Sequence, residues 1–170
     1  FNRYPKNIKK DLELLKKLEI DFVFIPKTDE IYNSDVKKKI RIPKIDRILC
    51  AKYRNNHFEG VLEIMDRFTF LIKPKKIFMG EKDYQQLILT KNFIHKNYKS
   101  KVISCKTIRD ENNLALSSRN YNLSIKNVIK AGLVATFLKN YDFKNINKNN
   151  IHQNIYKIKQ FLYKKFKIKT

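Results

Sequence analysis

Apolar residues along this chain alternate between helical spacing and short continuous runs. Apolar side chains recur on one helical face in residues 7–18, 57–72, 83–98, 124–140 and 151–168. Short apolar runs that predict buried strands occupy residues 20–25, 75–80 and 100–108. Strands that alternate with helices at this spacing predict a parallel sheet covered on both faces. The expected fold class is therefore α/β, of nucleotide-binding type.

A polar cluster follows the second predicted strand, where a helix is expected to begin. Ligands of such sheets bind at the carboxyl ends of strands, and a helix N-terminus offers free N–H groups to an anion. Gly80 would let backbone approach a ligand, and Lys82 could place a positive charge on a phosphate. Asp83 could accept a ribose hydroxyl, and Gln86 lies on the same helical face. The alternative is a helix-capping Asp83 beside a solvated Lys82.

A second cluster follows the third predicted strand. Ser117, Ser118 and Arg119 lie on a loop, where two hydroxyls can donate to a phosphate while a guanidinium neutralises it. Alone, this triplet is common in ordinary turns. Together with the cluster after the second strand, it suggests a triphosphate held from two sides.

The two clusters resemble the pantothenate synthetase family. They read Gly-Glu-Lys-Asp with paired glutamines, then Leu-Ser-Ser-Arg-Asn at 116–120. The resemblance runs in order from residue 1 to about residue 125. Its other segments are RYPK (3–6), DFVFIP (21–26), EIY (30–32), LCAKYRNNHFEGV (49–61) and TIRDENNLALSSRN (107–120).

The resemblance implies an ATP-dependent ligase that joins pantoate to β-alanine, with Mg²⁺ present, through a pantoyl adenylate. It places Lys82 on the phosphates, Asp83 towards the ribose, Gln86 on pantoate and the backbone of Ile108 at the adenine. Residues 116–119 would form a mobile phosphate loop. The full set of implied ATP contacts is Gly80, Glu81, Lys82, Asp83, Ile108, Leu116, Ser117, Ser118 and Arg119.

The resemblance also implies a domain organisation and an assembly. Residues 1–115 are expected to be part of a Rossmann-like domain of nucleotidyltransferase type, corresponding to its second half. Residues 116–170 are expected to begin a small C-terminal lid domain. A homodimer, a cytoplasmic location and a role in coenzyme A biosynthesis are further implications.

The sequence departs from the family pattern at several positions. The family's His-x-Gly-His motif, with its catalytic histidine, and a first pantoate-binding glutamine lie upstream of the Arg-Tyr-Pro segment and do not occur in this sequence. His57, His95 and His152 do not match that motif, and structural or exposed positions are expected for them. Asn56 and Ala51 stand where the family has glycine, and Asn112-Asn113 replaces an Asp-Gly pair. Since asparagine tolerates left-handed backbone, these turns are expected to persist.

The formal net charge of +22 allows a nucleic-acid-binding interpretation. A bias of the coding DNA towards A and T explains the charge better. Lys, Ile and Asn, whose codons consist almost wholly of A and T, supply 71 of 170 residues, and Lys outnumbers Arg 31 to 7. No apolar run approaches the roughly 20 residues that span a bilayer. Cys50 and Cys105 match no metal or CxxC spacing and are expected to be free, buried thiols.

Three alternatives to a piece of a working ligase remain open at this stage. The chain could be a catalytically inactive remnant or fragment of that enzyme. It could be another adenylate-forming nucleotidyltransferase, or a basic nucleic-acid-binding module. The last is disfavoured because no aromatic–basic recognition strand is present.

Overall fold

The computed structural model of the protein describes residues 7–32 and 40–168, which form two compact units. The first unit ends at Thr107 and the second begins at Ile108. The α/β fold class is confirmed, since the first unit contains a small parallel sheet together with helices. The predicted division into a domain ending at residue 115 and a lid domain stays a prediction.

The first unit contains two strands and five helices among its described residues. The helices are α1 (Ile8–Lys17), α2 (Thr28–Tyr32), α3 (Cys50–Tyr53), α4 (His57–Ile72) and α5 (Tyr84–Asn97). The strands are β1 (Lys76–Gly80) and β2 (Lys101–Cys105). They pair in parallel, with Lys76 opposite Lys101 and Gly80 opposite Cys105. The strands predicted at 75–80 and 100–108 are thus confirmed, with narrower bounds.

Helix α5 forms the core of the first unit together with one face of the sheet. Leu87, Ile94 and Val102 are buried there, and Ile77 of β1 packs against them. Alternation along β1 sends Phe78 to the opposite face, where its side chain is 66% exposed. The expected covering of both sheet faces is therefore wrong for the described residues, because no helix among them buries the Phe78 face.

Residues 20–25 do not form the predicted buried strand. They are irregular, and Phe22 is 92% exposed. A strand is stable only beside a hydrogen-bonding neighbour, whereas β1 and β2 pair with each other and with no third described strand. Phe24 makes an edge contact with Phe68 of α4, with ring centroids 5.9 Å apart. The apolar run predicts a buried strand, but the described part of the chain supplies no neighbouring strand with which it could pair.

The second unit contains helices α6 (Ile125–Asn140) and α7 (Ile151–Phe166), which confirms both helices predicted there. Ser124 occupies the N-cap position of α6, although its side chain makes no capping hydrogen bond. The helices contact each other through stacked rings of Phe137 and Phe161, with centroids 4.0 Å apart. Within residues 7–32 and 40–168, every helix is too short or too polar to cross a membrane.

The family glycine positions occupied by asparagine keep a left-handed backbone. Asn56 precedes α4 with φ 57°, and Asn113 lies in a tight turn with φ 64°. Both values fall in the region that asparagine enters more readily than most residues. The expectation that these turns persist without glycine is confirmed. Ala51 lies inside α3 and is buried, so its position has no need of glycine.

Both cysteines are free but exposed, so the prediction of buried thiols is wrong. Cys50 is the first residue of α3, and Cys105 is the last residue of β2. Ends of elements lie at the surface of a small unit, which explains the exposure. Their spacing in sequence carried no information about that placement.

Candidate functional site

The cluster Gly80–Asp83 lies at the carboxyl end of β1. The strand ends at Gly80, a 3-10 turn covers Glu81–Asp83, and α5 begins at Tyr84. Gly80 has φ −75°, which any residue can adopt, and no atom lies within 4 Å of the place where a Cβ would stand. Neither the backbone nor the packing of this unit therefore requires glycine at this position. The space beside Gly80 is open to a ligand.

Asp83 and Gln86 lie at the start of α5. Asp83 occupies the N-cap position, yet its carboxylate accepts no hydrogen bond from the helix N–H groups. Gln86 is half-buried one turn further on. Lys82 and Asp83 are exposed, while Glu81 is half-buried. The charged side chains and the amide that the sequence analysis singled out thus lie together at one helix N-terminus, where anions are favoured.

Gln85, the neighbour of Gln86, fastens the loop before α3 to α5. Its Oε1 accepts a hydrogen bond from the Cys50 N–H at 3.1 Å. Its Nε2 donates to the carbonyl oxygens of Asp46 at 3.1 Å and Ile48 at 2.8 Å. The residue enclosed by these contacts, Leu49, has φ 50° and ψ −125°, a strained conformation for a branched side chain. Gln85 therefore holds a strained turn beside the Gly80–Asp83 cluster.

Replacing Gln85 by alanine should lower the free energy of unfolding by about 2–3 kcal/mol, because polar backbone groups lose their partners and Leu49 is no longer held. Urea unfolding followed by circular dichroism measures this loss. Gln86→Ala is the matched control, since the Gln86 side chain makes no hydrogen bond to the described residues and its replacement should cost less than about 1 kcal/mol. Equal losses for the two variants would contradict the role assigned to Gln85.

His57 begins α4 and lies within electrostatic range of the cluster. Burial lowers its pKa from 6.5, the positive charge of Arg54 lowers it further, and the Asp83 carboxylate acts in the opposite direction. Its ring lies 4.9 Å from that of Phe58, centroid to centroid. His95 and His152 are exposed on α5 and α7. His57 is thus a half-buried histidine, as expected, but one electrostatically linked to Asp83.

The lowered pKa of His57 predicts a pH-dependent stability. The unfolded chain binds its proton near pH 6.5 while the folded chain resists it, so folding is favoured fully above pH 6.5. As the pH falls from 6.5 through the folded pKa, that contribution is lost. Denaturant unfolding at several pH values should show a shallower decline for His57→Gln than for the unmodified chain. His95→Gln is the control, and an identical decline in all three proteins would contradict the prediction.

The second group of predicted site residues lies in the second unit, on a short hairpin. Ile108 accepts a hydrogen bond at its carbonyl from the Leu116 N–H at 3.0 Å, and Arg109 bridges Ala115 in antiparallel fashion. The hairpin therefore places Ile108 beside the Leu116–Arg119 segment. Ile108 is 66% exposed and Leu116 is 53% exposed.

Ser117 starts the 3-10 turn Ser118–Asn122. Its Oγ accepts from the Arg119 N–H at 3.3 Å, so its hydroxyl hydrogen stays available to a ligand. Asn120 braces the turn by donating its Nδ2 to the Ala115 carbonyl at 3.0 Å. Ser118 is half-buried and Arg119 is exposed. The hydroxyls and the guanidinium of this segment are thus carried by a hydrogen-bonded turn.

The structure therefore groups the predicted residues by unit. Gly80–Asp83 and Gln86 lie together in the first, and Ile108 lies with 116–119 in the second. Sequence reasoning missed Gln85 and the link between His57 and Asp83. The pair of adjacent glutamines is visible in the sequence, but the spacing alone does not show which of the two makes structural hydrogen bonds. Among the described residues, no three His, Cys, Asp or Glu side chains converge as metal ligands.

Comparisons with known proteins point to one family. Residues 1–169 match the sequence profile of the family described as Pantoate-beta-alanine ligase. The pantothenate synthetase of Buchnera aphidicola subsp. Schizaphis graminum is 38% identical over 96% of this chain and 59% of its own length. That of Campylobacter hominis is 41% identical over 70% of this chain and 44% of its own length.

A solved structure shares the fold. Pantoate-beta-alanine ligase from Francisella tularensis, complexed with Beta-gamma ATP and Beta-alanine, gives a TM-score of 0.74 at 32% identity. The match covers 92% of this chain and 60% of that one. The chain thus spans about half the length of the curated relatives that it matches.

Proposed function

The chain belongs to the pantoate–β-alanine ligase family, and from this premise we propose that it acts in the ATP-dependent condensation of pantoate with β-alanine to pantothenate. In the first step, a pantoate carboxylate oxygen attacks the α-phosphorus of ATP, and the bond to the β-phosphate oxygen breaks to release pyrophosphate. In the second step, the neutral β-alanine amine attacks the acyl carbon of pantoyl adenylate. AMP leaves, the nitrogen loses a proton, and the amide remains.

The observation that carries the proposal is the turn between β1 and α5. Gly80 has open space beside it and no internal requirement for glycine, and Asp83 offers a carboxylate that the helix does not use. Backbone N–H groups of the helix N-terminus and the Lys82 ammonium can stabilise charge that moves between phosphates. Glu81 and Asp83 belong to the same turn, with Asp83 assigned to the ribose. Gln86, one helical turn away, is assigned to the pantoate.

The remaining ATP contacts are assigned to the second unit. Ile108 would meet the adenine through its backbone, while Leu116, Ser117, Ser118 and Arg119 would contact the nucleotide and its phosphates. Mg²⁺ would arrive with ATP, since this ion usually keeps several waters and binds substrate phosphates with one or two carboxylates.

The test is the release of pyrophosphate and AMP from ATP by this 170-residue chain. Pyrophosphate should appear when pantoate is added, and AMP should follow only when β-alanine is also present. Isothermal titration with ATP and with pantoate provides a second readout that needs no turnover. Failure to bind either compound, in a sample shown to be folded, would contradict the proposal.

An inactive remnant or fragment of such a ligase is the second candidate. It predicts that ATP and pantoate bind without any pyrophosphate release. Another adenylate-forming activity predicts pyrophosphate release with a carboxylic acid other than pantoate. The same two assays, run over a small panel of carboxylic acids, separate these outcomes.

A further inference from the structure

A cavity of about 340 Å³ lies at the amino ends of the two strands, at the opposite edge of the sheet from Gly80. Its walls come from two connections: Lys73–Lys75, between α4 and β1, and Tyr98–Ser100, between α5 and β2. Parallel pairing brings the two connections side by side, and the Lys101 N–H donates to the Lys75 carbonyl at 3.0 Å. We call this cavity, with Lys73, Lys75 and Lys99 in its lining, the lysine pocket.

Positive charge accumulates around the lysine pocket. Beside its three lysines, Lys76 and Lys101 occupy directly paired positions in the sheet, where like charges repel. Within residues 7–32 and 40–168, none of these five lysines forms an ion pair with a carboxylate. The Asp66 carboxylate beside this region accepts a hydrogen bond from the Tyr98 hydroxyl at 2.6 Å. A bound anion would offset this repulsion.

The frame of the pocket is held by hydrogen bonds, so its lysines are attached to a fixed backbone. Ser100 is 9% exposed and donates its hydroxyl to the Pro74 carbonyl at 2.6 Å, which joins the two connections. Lys73 has φ 48°, and its N–H donates to the Thr69 carbonyl at 2.9 Å. A non-glycine residue in this left-handed conformation is uncommon and is fixed here by the end of α4. Preorganisation of this kind lowers the entropic cost of binding.

The lysine pocket also has an apolar side. Phe70 is 65% exposed at its edge, and Pro74 belongs to the same wall. An exposed aromatic face can stack on a flat ring or cover an aliphatic group. The volume lies at the lower end of the range for small-molecule sites. The pocket therefore matches a small ligand that carries an anionic group on one side and an apolar or aromatic group on the other.

We propose that the lysine pocket is a second binding site, for a phosphorylated organic molecule whose phosphate contacts Lys73, Lys75 and Lys99 and whose ring or apolar group contacts Phe70. It is separate from the residues assigned to ATP and is formed within the first unit alone. Ligand binding there would take place at the far ends of the strands that carry Gly80 and Cys105.

The test uses AMP as the probe and nuclear magnetic resonance of the whole chain as the readout. Lys82→Gln serves as the background, so that binding at the Gly80–Asp83 turn is weakened. AMP should shift the backbone resonances of Tyr98, Lys99 and Ser100. Combining Lys73→Gln, Lys75→Gln and Lys99→Gln should weaken AMP binding at least about tenfold, because charge-assisted hydrogen bonds are lost.

Matched variants control for the general positive charge. Replacement of Lys157, Lys159 and Lys164 by Gln removes the same charge from the exposed surface of α7 and should leave AMP binding unchanged. Lys99→Glu alone, with a circular dichroism check, provides an independent variant in case the triple replacement unfolds. Phe70→Ala should weaken AMP but leave inorganic pyrophosphate unaffected, because pyrophosphate has no ring.

Three results would overturn the proposal. AMP shifts confined to residues near Gly80, or equal weakening by the pocket and α7 triple variants, would show that no built site exists. Tight binding of a single-stranded oligonucleotide that AMP fails to displace would assign the lysines to a nucleic acid instead.

Discussion

Replacing Lys82 by glutamine should lower the rate of AMP formation by about 10²–10³-fold, the range found when one preorganised charge-stabilising donor is removed from an active site. The affinity for ATP should fall about tenfold or more, since hydrogen bonds to charged groups contribute about 1.5–3 kcal/mol. The physical reason is the position of Lys82 between Gly80 and α5, at the carboxyl end of β1. In the proposed reaction, negative charge moves onto pyrophosphate as the α-phosphate is attacked, and an ammonium at this turn would stabilise that charge.

Initial rates of AMP release and titration of ATP measure the two effects separately. Lys96→Gln is the matched control, because it removes the same charge from an exposed position in the last turn of the same helix. It should leave both quantities within about twofold of the unmodified chain, as is usual for surface replacements. If Lys82→Gln and Lys96→Gln behave alike, the phosphate role assigned to Lys82 is wrong.

Helices were predictable here because their signal is local. The apolar spacing of 57–72 and 151–168 already describes the helical face that packs in α4 and α7. The prediction of a strand at 20–25 was less secure, because a strand depends on a hydrogen-bonding neighbour that can come from any part of a chain. The described residues provide that neighbour for β1 and β2 but not for 20–25.

The same contrast between local signals and distant contacts applies to the candidate site. Gly80–Asp83 was located from a local pattern, a strand followed by glycine, charges and a helix start. The roles of Gln85 and Gln86 differ only through contacts made across 35 or more residues, as with the bond from Cys50 to Gln85. No local rule distinguishes two adjacent glutamines. Likewise, the effect of Asp83 on His57 arises from the packing of α4 beside α5 and has no sequence signature.

Replacing Gly132 by alanine should destabilise the second unit by about 1–3 kcal/mol, the usual cost of forcing an extra carbon into a packed position. Gly132 lies in the middle of α6 and is buried. A Cβ built there would stand 2.5 Å from the Asn112 carbonyl oxygen and 2.8 Å from the Asn112 Cβ. The oxygen belongs to the backbone, so the turn that carries Asn113 would have to move.

That turn is fixed at several points, which is why the clash is not easily relieved. Asn113 has φ 64°, and its Nδ2 donates to the Thr136 hydroxyl of α6 at 3.2 Å. The Asp110 carboxylate accepts from the N–H groups of Asn112 at 2.9 Å and Leu114 at 2.8 Å. Moving the turn away from α6 would therefore strain these bonds and shift the hairpin that carries Ile108 and Leu116.

Gly60→Ala is the matched control, since Gly60 also lies inside a helix but no atom stands within 4 Å of its Cβ position. Alanine should stabilise α4 there by up to about 1 kcal/mol, because glycine is the poorer helix former. Thermal unfolding should therefore show opposite shifts, with a fall of about 4–8 °C per kcal/mol lost for Gly132→Ala in a unit of this size. Hydrogen exchange of the Asn112 and Asn113 amides should accelerate in that variant alone. Two shifts of the same sign would mean that helix propensity, rather than the contact between α6 and the hairpin, decides the stability at Gly132.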